Sequence, residues 1–101
     1  MCKLPKKISI SHTDYKVISA PILDKGTIEY KRPVITVDVD LHKTERVDVL
    51  IHEILHGLQK HYNIQMEGME EHIVSALGDG LTSVFKKNPD LLRYLKEELH
   101  G

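Results

Sequence analysis

His52-Glu53-Ile54-Leu55-His56 sets two imidazoles four residues apart, with a carboxylate next to the first. On a helix, that spacing leaves the rings about 40° apart around the axis and one turn apart along it, so both can grip one metal ion. Glu53 stands beside the same face, where a carboxylate can take a proton from a metal-activated water. Two neutral imidazole ligands and a general base are what zinc-dependent peptide hydrolysis requires. Seven histidines in 101 residues make the bare pattern attainable by accident, so its surroundings must carry the rest of the argument.

A catalytic zinc takes three protein ligands and keeps one position open, and the third ligand is sought downstream. His61 continues the same helix about 140° round from His56 and points off the site, which reads as a solvated residue. Glu70 and Glu71 open the next apolar-periodic segment, one short loop later. Glu70 falls near the middle of that segment's apolar stripe, while Glu71 lies about 120° from Leu77, at its edge. An open site needs a cleft, so Glu71 is the expected third ligand and Glu70 the alternative. Without a metal, both glutamates would simply suit the positive end of a helix.

At these residues the chain resembles gluzincin-type peptidases: the thermolysin-like peptidases, the ImmA/IrrE-like peptidases and small phage-encoded H-E-x-x-H domains. In those families the ligand glutamate is followed, six and seven residues on, by a large apolar residue and a small one. Glu71 has Leu77 and Gly78 there, and Glu70 has Ala76 and Leu77. The resemblance implies a zincin-like fold, with Zn2+ held by His52, His56 and Glu71 and with Glu53 as general base. Two departures stand out. The acidic residue that often follows the ligand glutamate by four places, orienting a ligand histidine, is Ser75 here. The His or Tyr that stabilises the oxyanion in larger members has four candidates, His72, Tyr30, Tyr62 and Tyr94, none singled out by position. The match covers the layout of most of the chain, and individual residues only in the motif and in the segment from Glu70 to Leu81.

The elements that must position these residues read as one α+β domain over residues 1–101. It has a small, mainly antiparallel sheet of three to four strands packed against three helices. Alternation marks strands over Lys7–Ser11, Tyr15–Ala20, Thr27–Tyr30 and Val34–Asp40. In the last, Ile35, Val37 and Val39 face one side and Thr36, Asp38 and Asp40 the other, as in a sheet covered on one face. A helix follows from about Lys43 to Tyr62, with Val47, Leu50, Ile51, Ile54 and Leu58 on one stripe. His52, His56 and Val49 lie nearly opposite, which predicts a sandwiched helix. After a loop over Asn63–Gly68, a second helix runs from about Met69 to Lys87. Its stripe is Ile73, Val74, Leu77, Leu81 and Val84, interrupted by Gly78 and Gly80 in the manner of a closely packed helix. Asn88-Pro89 opens a third helix from about Asp90 to Leu99, whose Leu91, Leu92 and Leu95 are expected to close the core. With one Phe and no Trp, that core must be mostly aliphatic.

A net charge of -1 gives no electrostatic reason for nucleic acid or an anionic membrane as partner. The single cysteine, Cys2, excludes an intramolecular disulfide and fits a reducing compartment; near the terminus it reads as a bystander. The first residues lead into no long apolar run, so they do not read as a signal peptide. No segment has membrane-spanning length. A soluble cytoplasmic protein is the expectation. The favoured function is a zinc-dependent metallopeptidase acting on a peptide or protein substrate, laid by strand addition along the hairpin from Thr27 to Val39. Its alternatives are a catalytically weak or inactive zincin-fold metal-binding protein with a regulatory or interaction role, and a metal-free packing layer of histidines.

Overall fold

Ser11, left-handed at φ 55°, folds the first strand, β1 (Lys7–Ile10), back onto β2 (Thr13–Ala20). In this computed structural model, which describes residues 3–101, the sheet continues through β4 (Val34–Asp38) to β3 (Gly26–Glu29). The expectation placed on Cys2 lies outside the described residues. The strand order is β1-β2-β4-β3: β2 runs parallel to β4 with Val17 beside Ile35, and β3 returns antiparallel with Ile28 beside Ile35. The expected α+β class is borne out, with four strands, three helices and two antiparallel pairings to one parallel. The parallel pair arises because the chain crosses to the far edge to build β3 before returning for β4. That leaves β3 as an edge strand.

The core beneath the sheet joins Ile10, Tyr15, Val17, Ile35 and Val37 to Val49 of the first helix, and it is aliphatic apart from one tyrosine. Alternation put Thr36 on the wet face, yet it is 7% exposed, because β4 is an interior strand flanked on both sides. Val39 lies beyond the end of β4 and is half exposed.

Helix α1 (Lys43–His61) lies across the sheet, with its rotation different from the expected one. Its buried residues are Val49, Glu53 and Gly57, flanked by Leu50, Ile54 and Leu58 against the core, while Val47 is exposed. Val49 therefore reaches the sheet core as well as the cavity it lines with His52 and His56. The cause is close approach. A Cβ added at Gly57 would come within 2.6 Å of Ile10 Cδ1, and one at Gly26 within 2.5 Å of Val49 Cγ1 and 3.1 Å of Glu53 Oε2. Glycines at the contact let helix and edge strand meet where side chains would hold them apart. Ile10 ends in a flexible side chain that can give way, but Val49 has a single stiff rotor. Gly26→Ala is accordingly expected to destabilise the fold by about 1–3 kcal/mol, read as a shift of the urea midpoint at constant m-value.

A Schellman turn ends α1. Asn63 is left-handed at φ 52° and the Ile64 N–H donates to the Gln59 carbonyl at 3.1 Å. The chain then reverses into α2 (Glu70–Lys87), which packs antiparallel on α1, so α1 is sandwiched between sheet and helix as expected. The buried stripe of α2 is Val74, Gly78 and Thr82, whereas Leu77 and Val84 are exposed. Gly78 sits over His52 and Asp48, but Gly80 has nothing within 4 Å, so only the first glycine belongs to the contact. Helix α3 (Pro89–His100) buries no residue and does not close the core. Leu92, Leu95 and Leu99 stay exposed, because α3 packs on α2, a layer removed from the sheet. A 12-residue helix without buried anchors is marginal. Native-state hydrogen exchange should find α3 amides opening at close to zero free energy, and those of α1 near the global value.

Candidate metal centre

Three donor groups converge where α1 faces the start of α2. His52 Nε2 and His56 Nε2 stand 3.1 Å apart, and the Glu71 carboxylate reaches both, with Oε1 at 2.7 Å from the first and Oε2 at 3.1 Å from the second. Among the described residues these three form the one group whose ligand atoms could share an ion, all within 4.8 Å of one another. Of the two glutamates, Glu71 is the one brought to both imidazoles. Glu70 takes a different place, its Oε2 lying 2.6 Å from His56 Nδ1.

The chemistry of this donor set fits a divalent cation. A His56 ring that donates its Nδ1 proton to Glu70 and carries no second proton would turn a lone pair from Nε2 toward the Glu71 oxygen. Two lone pairs at that distance repel, and a positive ion between them removes the repulsion. Tetrahedral ligands at about 2.0–2.1 Å from zinc stand about 3.3 Å apart, so the site needs to open by a few tenths of an ångström. The histidine side chains are 23% and 14% exposed and that of Glu71 is 72% exposed. The site is thus walled on the α1 side and open at Glu71.

Glu53, only 6% exposed, lies under the edge strand and reaches the same cavity, an open cleft of about 590 Å³. Burial raises its carboxyl above the ordinary 4.5; the neighbouring His52 and His56 pull it down, and Glu71 and Asp24 push it up. The cavity is also lined by Asp24, Lys25 and Gly26 from the start of β3, by Asp48, and by Ser75 and Asp79. Four-residue spacing gives a signal that could have found some of these: Asp48, His52 and His56 run along one line of α1, and Glu71, Ser75 and Asp79 along one line of α2. Asp48 accepts a hydrogen bond from the Thr82 hydroxyl at 3.3 Å. Its carboxyl is raised by burial and by the nearby Asp79, and lowered by Thr82 and His52. Nothing local marks Asp24 or Lys25, which reach the site only through the crossover that puts β3 at the edge.

Other expectations about single residues need correcting. His61 is no free surface residue, since its Nε2 lies 2.6 Å from the hydroxyl of buried Tyr15. Ser75 lines the cavity, but the carboxylate at His56 Nδ1 comes from Glu70, one residue before Glu71. None of the four oxyanion candidates lines the cavity. Tyr30 donates to the His56 carbonyl at 3.3 Å, and burial, helped by Tyr15, Glu70 and Glu53, pushes its phenol up to about 12. Tyr62, Tyr94 and His72 are exposed. The cationic side chain on the cavity wall is Lys25, paired with Glu45 at 2.8 Å.

No protein-family model, curated protein or solved structure compared with this chain matches it. The functional argument therefore rests on the site.

Proposed function

We propose that the chain is a zinc-dependent metallopeptidase in which His52, His56 and Glu71 hold the ion and Glu53 moves the protons. The observation that carries the reading is the convergence of two imidazoles and a carboxylate in one cleft that also receives the buried Glu53. Bound zinc supplies a Lewis acid that polarises a peptide carbonyl and acidifies water. Glu53 takes the proton of the attacking water and later returns it to the leaving amine. Its raised pKa suits both tasks, since a carboxyl whose pKa moves toward the working pH is a stronger base and holds its proton in a larger fraction of molecules. The edge strand β3 borders the cleft through Gly26, so an extended peptide can add to its free side by main-chain hydrogen bonds. A reducing, cytoplasmic setting agrees with the lone cysteine, and no helix among the described residues is long and apolar enough to cross a membrane.

One observation favours a second reading, a zincin-like metal-binding protein with a regulatory or interaction role. Among the described residues, no tyrosine and no histidine other than His52 and His56 lines the cleft to receive an oxyanion. Zinc stoichiometry of protein purified without chelator, followed by cleavage of a mixed peptide pool, separates the two. One zinc per chain with metal-dependent cleavage supports the peptidase. One zinc with no cleavage supports the second reading, and absence of zinc overturns both.

A further inference from the structure

The start of α2 presents consecutive carboxylates to one imidazole. Glu71 approaches His56 at Nε2, 3.1 Å away, and Glu70 at Nδ1, 2.6 Å away. Residues adjacent on a helix are about 100° apart, so the pair straddles the ring. His56 is the more enclosed of the two histidines, 14% exposed against 23% for His52, and has little room to turn away.

We propose that Glu70 is a positioning residue that fixes the tautomer and orientation of His56, leaving its Nε2 lone pair free for a metal. The inference rests on the metal reading given above and assigns to Glu70 a role distinct from that of ligand. A neutral imidazole has one N–H, and whichever nitrogen carries it cannot ligate. By accepting the Nδ1 proton, the Glu70 carboxylate holds the hydrogen on that side. It also makes Nε2 more basic and locks the ring plane. Partners of this kind are worth 10–100-fold in metal affinity. The position of Glu70 also explains how Ser75 can occupy the place where an orienting acid was sought: the orienting group enters from the residue before the ligand, on the other side of the ring.

The test compares the parent chain with Glu70→Ala, Glu70→Gln and Glu71→Ala, using zinc itself as probe in competition against a chromophoric chelator. Glu70→Ala should bind one zinc per chain 10–100-fold more weakly. Glu71→Ala, which loses a ligand, should bind more weakly still. Glu70→Gln should recover most of the loss, since its amide oxygen still accepts the Nδ1 proton. The second readout needs no metal: long-range 1H–15N spectra of the metal-free protein should show His56 protonated at Nδ1 in the parent and in Glu70→Gln, and a mixture or the Nε2–H form in Glu70→Ala. A parent that binds zinc alongside a Glu70→Ala variant with unchanged affinity and tautomer overturns the inference and leaves the metal site standing. A loss in Glu70→Ala exceeding that in Glu71→Ala also overturns it, by making Glu70 the ligand. A parent that binds no zinc defeats the metal reading on which the inference rests, and overturns the inference with it.

Discussion

Glu53→Gln is expected to abolish peptide hydrolysis, with kcat/KM falling 10²–10⁴-fold, while the protein still takes up one zinc ion per chain. Glutamine keeps the shape and the hydrogen-bonding oxygen of glutamate but cannot accept a proton at neutral pH, so the substitution removes general-base chemistry and leaves the ligands untouched. The same exchange should stabilise the metal-free fold. Glu53 is buried under β3, and burial raises its carboxyl above the ordinary 4.5 despite the opposing pull of His52 and His56. A native state with the higher pKa binds the proton more tightly than the unfolded chain does. The contribution of Glu53 is therefore most favourable below pH about 4.5 and is lost as pH rises through the raised value. Glutamine has no such loss. Thermal unfolding in the presence of chelator should show the variant at least as stable as the parent at pH 8, with the difference closing toward pH 4. An unchanged hydrolysis rate in Glu53→Gln would remove Glu53 from the mechanism, and a lower metal-free midpoint at pH 8 would contradict the assigned burial cost.

What the sequence made legible follows from which interactions are local. The extents of α1 and α2 lie close to the expected ones because helical periodicity and turn residues are read along the chain, and Glu71 could be placed opposite the two histidines because a residue one short loop after the motif must meet its facing helix. The rotation of α1 was misjudged for a physical reason. Apolar patterning scores Glu53 and Gly57 as surface residues, yet the Glu53 carboxylate lies under β3 and a glycine permits the closest contact with Ile10. The same weighting placed Leu77 and Val84 in the core of α2, where Gly78 and Thr82 are found. Alternation tells which face a strand buries but not which strand lies beside it, so the β2–β4 pairing and the exposed edge of β3 were out of reach. The bond between Tyr15 and His61 spans 46 residues and has no local signature. The sequence offers Glu70 as a ligand or as a carboxylate suited to a helix N-terminus, but not as a partner of Nδ1, because the distinction between binding an ion and holding a ring depends on which imidazole nitrogen a carboxylate meets.

Zinc at 100 times its dissociation constant is expected to raise the unfolding midpoint by roughly 10–20 °C, and His52→Ala should lose that shift entirely. Binding to the native state alone contributes about 2.7 kcal/mol at that saturation. For a domain of this length, each kcal/mol moves the midpoint by about 4–8 °C. The size of the shift reflects where the ligands sit. His52 and His56 belong to α1 and Glu71 to α2, so an ion held by all three would tie together helices whose contact otherwise depends on a narrow stripe of Val74, Gly78 and Thr82. Unfolding must break that tie before α2 can leave. The metal-free His52→Ala protein should melt close to the metal-free parent, because the imidazole is 23% exposed and lies outside the hydrophobic core cluster. A histidine that serves only as packing gives the opposite pattern: the metal-free midpoint falls on substitution, and zinc moves neither protein. Differential scanning of both chains with chelator and with zinc therefore decides whether the two imidazoles on α1 are there to hold an ion or to fill space.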